Sequence, residues 1–234
     1  MESWLEFAQG PLFRFCFVVM VLGLVRQLAI ACTGMIQAYR HAGDNSIDWF
    51  NLLKNTLVWL LPFGHLQRNN RWFYSLTSFL FHIGTIIVPL FLYAHVHLWR
   101  RATGIGWPTL PGSLADGLSF LVLVTGIGLI VGRIARSQSR SLTRPQDLLL
   151  PPLIVVIFVS GFLAAHPTLN LFSYQGAMVV HVISGDLLLL LVPFSKLAHV
   201  ALWPFTHIAT ELAWRFPPDA GSKVIETMGK EDRV

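Results

Sequence analysis

Charge is what this sequence has least of. Asp, Glu, Lys and Arg make up 12% of its 234 residues, where about 25% is usual in soluble domains. So little polar side chain cannot cover a globule in water. Cysteine is nearly absent as well. Cys16 and Cys32 are the two present, which excludes a disulfide framework. They form no C-x-x-C pair, and no C-x-x-C-H motif for covalent haem attachment. Both are read as structural. A basic leader is missing too. The chain opens with Glu2 and Glu6 and has no clear small-residue cleavage site, so its start is read as part of the mature protein. No internal repeat is visible.

Hydrophobic residues make up 54% of the chain, and they come in long runs. A helix crossing the hydrocarbon of a bilayer needs roughly 20 apolar residues. Five runs qualify, predicting an all-α integral membrane protein with a bundle of five transmembrane helices. The spans are expected at Pro11 to Met35, Trp72 to Trp99, Leu114 to Ile134, Asp147 or Leu148 to Ala165, and Tyr174 to Trp203. Pro151 and Pro152 are expected in the first turn of the fourth span, where proline is best tolerated. The stretch from Trp49 to Phe63 is apolar but short, and Asn51, Lys54 and Asn55 interrupt it. It reads as an interfacial helix between spans one and two. If it crosses instead, the count becomes six and both termini share a side.

The net charge of +5 comes from basic residues between apolar runs, so it reads as a topology signal rather than a nucleic-acid footprint. Arg40, Lys54, Arg68 and Arg71 lie in the first loop, and Arg133, Arg136, Arg140 and Arg144 in the third. Arg100 and Arg101 in the second loop oppose them and are outnumbered. The expected localisation is the cytoplasmic (inner) membrane of a bacterium or archaeon, with the N-terminus outside and the C-terminus inside. Residues 1–206 form the transmembrane domain. Residues 207–234, with Pro217 and Pro218, read as a solvated cytoplasmic tail able to dock a partner.

Nine histidines are present, and several fall within two spans. Ionisable groups at membrane depth are costly and point to function. His181 and His199 are 18 residues apart, so on one ideal helix they face the same way, about 27 Å apart along the axis. That separation suits two stacked redox centres. A shared metal ion would want i,i+3 or i,i+4 ligands. On the antiparallel second span, His82 is placed to meet His199 near the cytoplasm, and His95 or His97 to meet His181 near the outside. Bis-histidine pairs at two depths predict two low-spin b-type haems that carry electrons. Helical phase alone prefers His97, which is turned about 60° from His82, over His95 at about 220°. Pro89 lies between and can shift that phase. Gly84 and Gly185 allow close approach of a macrocycle or of another helix. Arg26 is a candidate for a haem propionate, or it snorkels to the interface, as Lys196 does.

Two segments carry a family likeness. One is Ser78-Phe79-Leu80-Phe81-His82-Ile83-Gly84. The other is Val192-Pro193-Phe194-Ser195-Lys196-Leu197-Ala198-His199, preceded by Val180-His181. Together with the basic stretch from Arg133 to Leu150, they resemble the gamma subunit of respiratory nitrate reductase and its relatives in sulfur-metabolism and heterodisulfide-reductase-like complexes. The resemblance covers the chain from the first span to about Trp203. It implies a five-helix dihaem cytochrome b, with His82 and His199 on the inner haem and His181 on the outer one. The sequence departs from the nitrate reductase pattern at Leu92, where that pattern has the fourth ligand. His95 is the next histidine and is chosen over His97 for its closer spacing. The long connection from Ile36 to Arg71 is a second departure.

The function expected is that of the quinol-oxidising or quinone-reducing subunit of a multi-subunit respiratory oxidoreductase. It would pass electrons between a membrane quinone and a cytoplasmic iron–sulfur subunit. His97 and Arg100 are candidates for quinone contact or plain interfacial residues. The alternative is a polytopic transporter, or a proton or metal channel, whose intramembrane histidines and Asp186 relay protons or bind metal. A third option is a b-type cytochrome that reduces its substrate directly at the membrane surface.

Overall fold

The computed structural model describes residues 2–42, 48–60, 72–213 and 219–228. Arg68, Arg71, Pro217, Pro218 and the end of the Trp49 to Phe63 stretch lie outside the described residues. Those described are helical, with no strand among them. The elements are α1 (Glu2–Phe7), α2 (Phe13–His41), α3 (Trp49–Leu60), α4 (Trp72–Phe91), α5 (Tyr93–Thr103), α6 (Gly112–Ala135) and α7 (Ser137–Ser141). They continue with α8 (Pro145–Ala165), α9 (Tyr174–Leu191), α10 (His199–Ala213) and α11 (Ala220–Thr227). Five helical stretches among the described residues are long and apolar enough to cross a membrane: Glu2–His41, Trp72–Phe91, Gly112–Ala135, Pro145–Ala165 and Tyr174–Phe194.

The first stretch is longer than expected. Pro11 does not end it, because the wider π-turn over Ala8–Leu12 accommodates the ring. The fourth starts earlier than expected, so Pro151 and Pro152 lie in its second turn. Asp147 sets that start: its carboxylate accepts from the Arg144 backbone N–H at 3.0 Å in a capping box and lies 3.6 Å from the Arg133 guanidinium. The fifth span corrects the sequence reading most. It is not one helix to Trp203, since α9 ends at Leu191 and the chain passes through 3₁₀ turns at Val192–Phe194 and Lys196–Ala198. Pro193 brings no N–H to an α-helical ladder, and Ser195 is extended, its Oγ accepting from the Leu197 N–H at 3.2 Å. His199 therefore starts a new helix, and the five-turn phase argument linking it to His181 does not apply.

The chain divides into two compact units, Met1–Val19 with Leu61–Leu191, and Met20–Leu60 with Val192–Val234. In the first, α4 packs on α6, α6 on α8, and α8 on α9. Small residues set these approaches, as membrane packing favours. A Cβ on Gly84 would strike Val122, which is fully buried, and one on Gly126 would lie 2.9 Å from Val155 and 3.0 Å from Phe81. Hydroxyls within the helices bond to their own backbone: Thr85 to Phe81 O, Ser119 to Ala115 O, Thr125 to Leu121 O, Ser160 to Val156 O and Ser184 to Val180 O.

In the second unit, α3 meets α10 where Thr56 Oγ1 and His207 Nδ1 lie 3.0 Å apart. Gly23 lies close to Pro193, and Gln27 Nε2 donates to Pro193 O at 3.2 Å. Asp48 caps α3, accepting from the Asn51 backbone at 3.0 Å and from its side chain at 2.6 Å. These bonds hold its carboxyl below the usual range.

Candidate haem-ligand site

The second span breaks where the choice between His95 and His97 is made. α4 ends at Phe91, Leu92 is extended (φ −65°, ψ 131°), and α5 restarts at Tyr93. A break of this kind strands the carbonyls of the preceding turn. Each is taken up here. Pro89 O accepts from His95 Nδ1 at 3.0 Å, Leu90 O from Trp107 Nε1 at 2.7 Å, and Phe91 O from the Leu110 N–H at 2.9 Å. The restart places His95 beside His181, their ring centroids 6.0 Å apart and their planes within 10°. His97 is exposed and stacks on Tyr93 at 5.9 Å.

His181 is fixed by α8. Its Nδ1 lies 2.9 Å from Ile157 O. Gly161 makes that approach possible, since a Cβ there would sit 2.7 Å from His181 Cε1 and 2.8 Å from Nδ1. Gly161 escaped the sequence reading, although a Ser160-Gly161 pair within an apolar span is a signal of close packing.

The four candidate ligands share one feature. His82 Nδ1 lies 2.7 Å from Ser78 O, and His199 Nδ1 2.5 Å from Lys196 O, alongside the His95 and His181 contacts given above. A carbonyl can only accept, so each Nδ1 carries a proton toward it. A backbone partner on the far nitrogen is the usual support of a metal-binding imidazole. His82 lies in the first unit and His199 in the second, and both are exposed.

The remaining candidates differ in setting. Gly84 serves helix packing against Val122, whereas a Cβ on Gly185 would meet nothing within 4 Å. Arg26 is exposed and forms no ion pair among the described residues. Arg100 lays its aliphatic stem against Gly106. Asp186 is 3% exposed, and its Oδ2 has no hydrogen-bond partner among the described residues.

The His95–His181 centroid spacing of 6.0 Å is of the size a bis-imidazole metal site would need. Two metal–nitrogen bonds of about 2.0 Å, with the ring radii added, put trans imidazole centroids roughly 6 Å apart. Two protein ligands suffice for such an iron, because the macrocycle supplies the equatorial nitrogens. A bare ion would want more, and among the described residues no three His, Cys, Asp or Glu gather to hold one.

A protein of Nitratidesulfovibrio vulgaris strain Hildenborough is 30% identical to the chain over 200 residues, covering 84% of the chain and 87% of that protein. The chain belongs to its family. The name of that relative states no activity, so it carries no function over to this chain. The shared region is long enough to take in most of the membrane-spanning helices. No family model and no solved structure matches.

Proposed function

We propose that the chain is the membrane electron-transfer subunit of a respiratory oxidoreductase and holds two b-type haems. The observation that supports this most is the parallel His95–His181 pair at 6.0 Å, with both Nδ1 atoms tied to carbonyls. His95 and His181 would hold one haem; the family resemblance implies His82 and His199 as ligands of the other. When bound, a haem with two imidazole ligands exchanges single electrons and offers no open position to oxygen. The chain orients the imidazoles through Pro89, Ile157, Ser78 and Lys196 and keeps the His95–His181 pair partly shielded.

The same reading makes membrane quinol the electron donor at the end near His95 and His181. A cytoplasmic iron–sulfur subunit would be the acceptor. Reverse flow to quinone uses the same residues. The resident membrane would be the cytoplasmic (inner) one, with the N-terminus outside and the C-terminus inside. The stretch from Trp49 would lie at the membrane interface, where Asn51, Lys54 and Asn55 interrupt its apolar residues. Arg26 is a cation available to a propionate.

Purification in mild detergent and a reduced-minus-oxidised spectrum test the proposal. The expected result is b-type haem bands with two haems per chain, and an iron–sulfur protein that copurifies. A protein without haem bands would end the electron-transfer reading. Asp186, buried with no partner for Oδ2 among the described residues, favours the second reading, a proton or metal transporter. Flux of protons or divalent ions in proteoliposomes from haem-free protein would establish that one.

A further inference from the structure

Two groups that the proposed function leaves unused face each other in the first unit. His166 caps the C-terminus of α8 and places Nε2 3.3 Å from Oδ2 of Asp116, near the start of α6. Its Nδ1 lies 2.9 Å from Phe162 O, so Nδ1 carries the ring's proton and Nε2 is the basic nitrogen. A basic nitrogen turned toward a carboxylate is an attractive contact only when a proton lies between them. The bond is then charge-assisted. The pair is thus arranged to take up one proton.

Its surroundings narrow what would deliver that proton. Phe162 stacks on the His166 ring, with centroids 4.2 Å apart and planes at 24°. The loop that follows exposes Leu169, Leu171 and Phe172, with Leu171 94% exposed. The His166 and Asp116 side chains are 28% and 48% exposed, so the pair lies open at the ends of α8 and α6. A proton acceptor beside an aromatic ring and an apolar lip suits a hydroxylated ring with an apolar tail. It also lies close to the ligand pair. Gly161 touches His181, and His166 is five residues further along α8, a rise of about 7.5 Å.

We propose that the His166–Asp116 pair is the proton acceptor for quinol; this rests on the electron-transfer reading above. Oxidation of one quinol to quinone breaks two O–H bonds and releases two electrons and two protons. The two electrons would be taken up one at a time by the haems that the candidate histidines would hold. Each proton goes to His166 Nε2, is stabilised there by Asp116, and is passed to water on that face before the next arrives.

The test uses the purified, haem-loaded full chain, with haem reduction by menadiol followed by stopped-flow absorbance. His166→Gln and Asp116→Asn are expected to slow menadiol-driven reduction about a hundredfold while leaving dithionite-reducible haem unchanged. Asp116→Glu is expected to restore most of the rate. Binding of 2-heptyl-4-hydroxyquinoline N-oxide, read by its fluorescence, should weaken in Asp116→Asn. An azidonaphthoquinone photolabel on wild-type protein should map to 162–172, a readout that stands even where a variant fails to fold. Variants that match a menadiol-reducible wild type, or a label on 93–103 instead, would overturn the pair and leave the electron-transfer reading intact. Wild-type haem that menadiol cannot reduce would remove the quinol and the pair together.

Discussion

The chain breaks its helices twice next to a candidate ligand, and the two breaks are built differently. The break at Leu92 is a single extended residue between two α-helices. All three carbonyls it strands are taken up, by His95, Trp107 and the Leu110 backbone. The break before His199 spreads over residues 192–198 as 3₁₀ turns, with Gln27 on Pro193 O and His199 on Lys196 O. In both, the histidine that follows gives its Nδ1 proton to a carbonyl of the break. The difference lies in what does the holding. The first break is locked by the loop after α5, the second by 3₁₀ turns of its own and one side chain from α2.

The largest effect should come from the histidine at the first break. His95→Ala and His181→Ala are each expected to lose one haem of the two, whereas His97→Ala keeps both, as read from pyridine haemochrome content. Loss of a haem in His97→Ala with retention in His95→Ala would reverse the assignment. Next in size is Gly161→Ala. Its methyl would fall 2.7 Å from the His181 ring, so the ring must move, at a cost of about 1–3 kcal/mol. Thermal unfolding should show the loss, together with a depleted or spectrally altered haem.

A pair of smaller substitutions sharpens the contrast between the breaks. Trp107→Phe leaves Leu90 O without its donor, and Gln27→Leu does the same to Pro193 O. Each should cost about 1 kcal/mol. The Trp107 variant should also disturb the His95–His181 spectrum, because its break aims His95. A haem spectrum altered more by Gln27→Leu would mean that the second break is the one that positions its histidine.

The smallest effect concerns α3. Asp48 has a lowered carboxyl pKa because Asn51 donates to it twice. Its contribution is therefore present above the unfolded-state value and fades as pH falls through the lower folded one. Asp48→Ala should speed exchange of the Asn51 amide at neutral pH, and the difference from wild type should vanish once wild-type Asp48 is protonated.

The spans were legible because length and apolarity are all a bilayer asks of a helix. The nearness of His95 to His181 was legible only through spacing, since ideal phase favoured His97. The residue that overturns the phase is Leu92, a good helix former with no turn signature. Its conformation depends on Trp107 and Leu110, well outside the local window. The second break was hidden for a related reason. Pro193 is visible, but the multiple of 3.6 between His181 and His199 made a straight helix attractive. Gly161 and the His166–Asp116 pair depend on which helices become neighbours, and periodicity does not report that.

The serine and threonine hydroxyls bear on how such a protein is made. Thr85, Ser119, Thr125, Ser160 and Ser184 each donate to a carbonyl of their own helix. None of these five protons is kept for a neighbouring helix. Each segment can then leave the translocation machinery with its hydroxyls already satisfied, and wait in lipid until its partners are synthesised. What brings the partners together is fit, glycine against ring or methyl. Assembly can therefore pause and be corrected without a polar group being stranded in hydrocarbon.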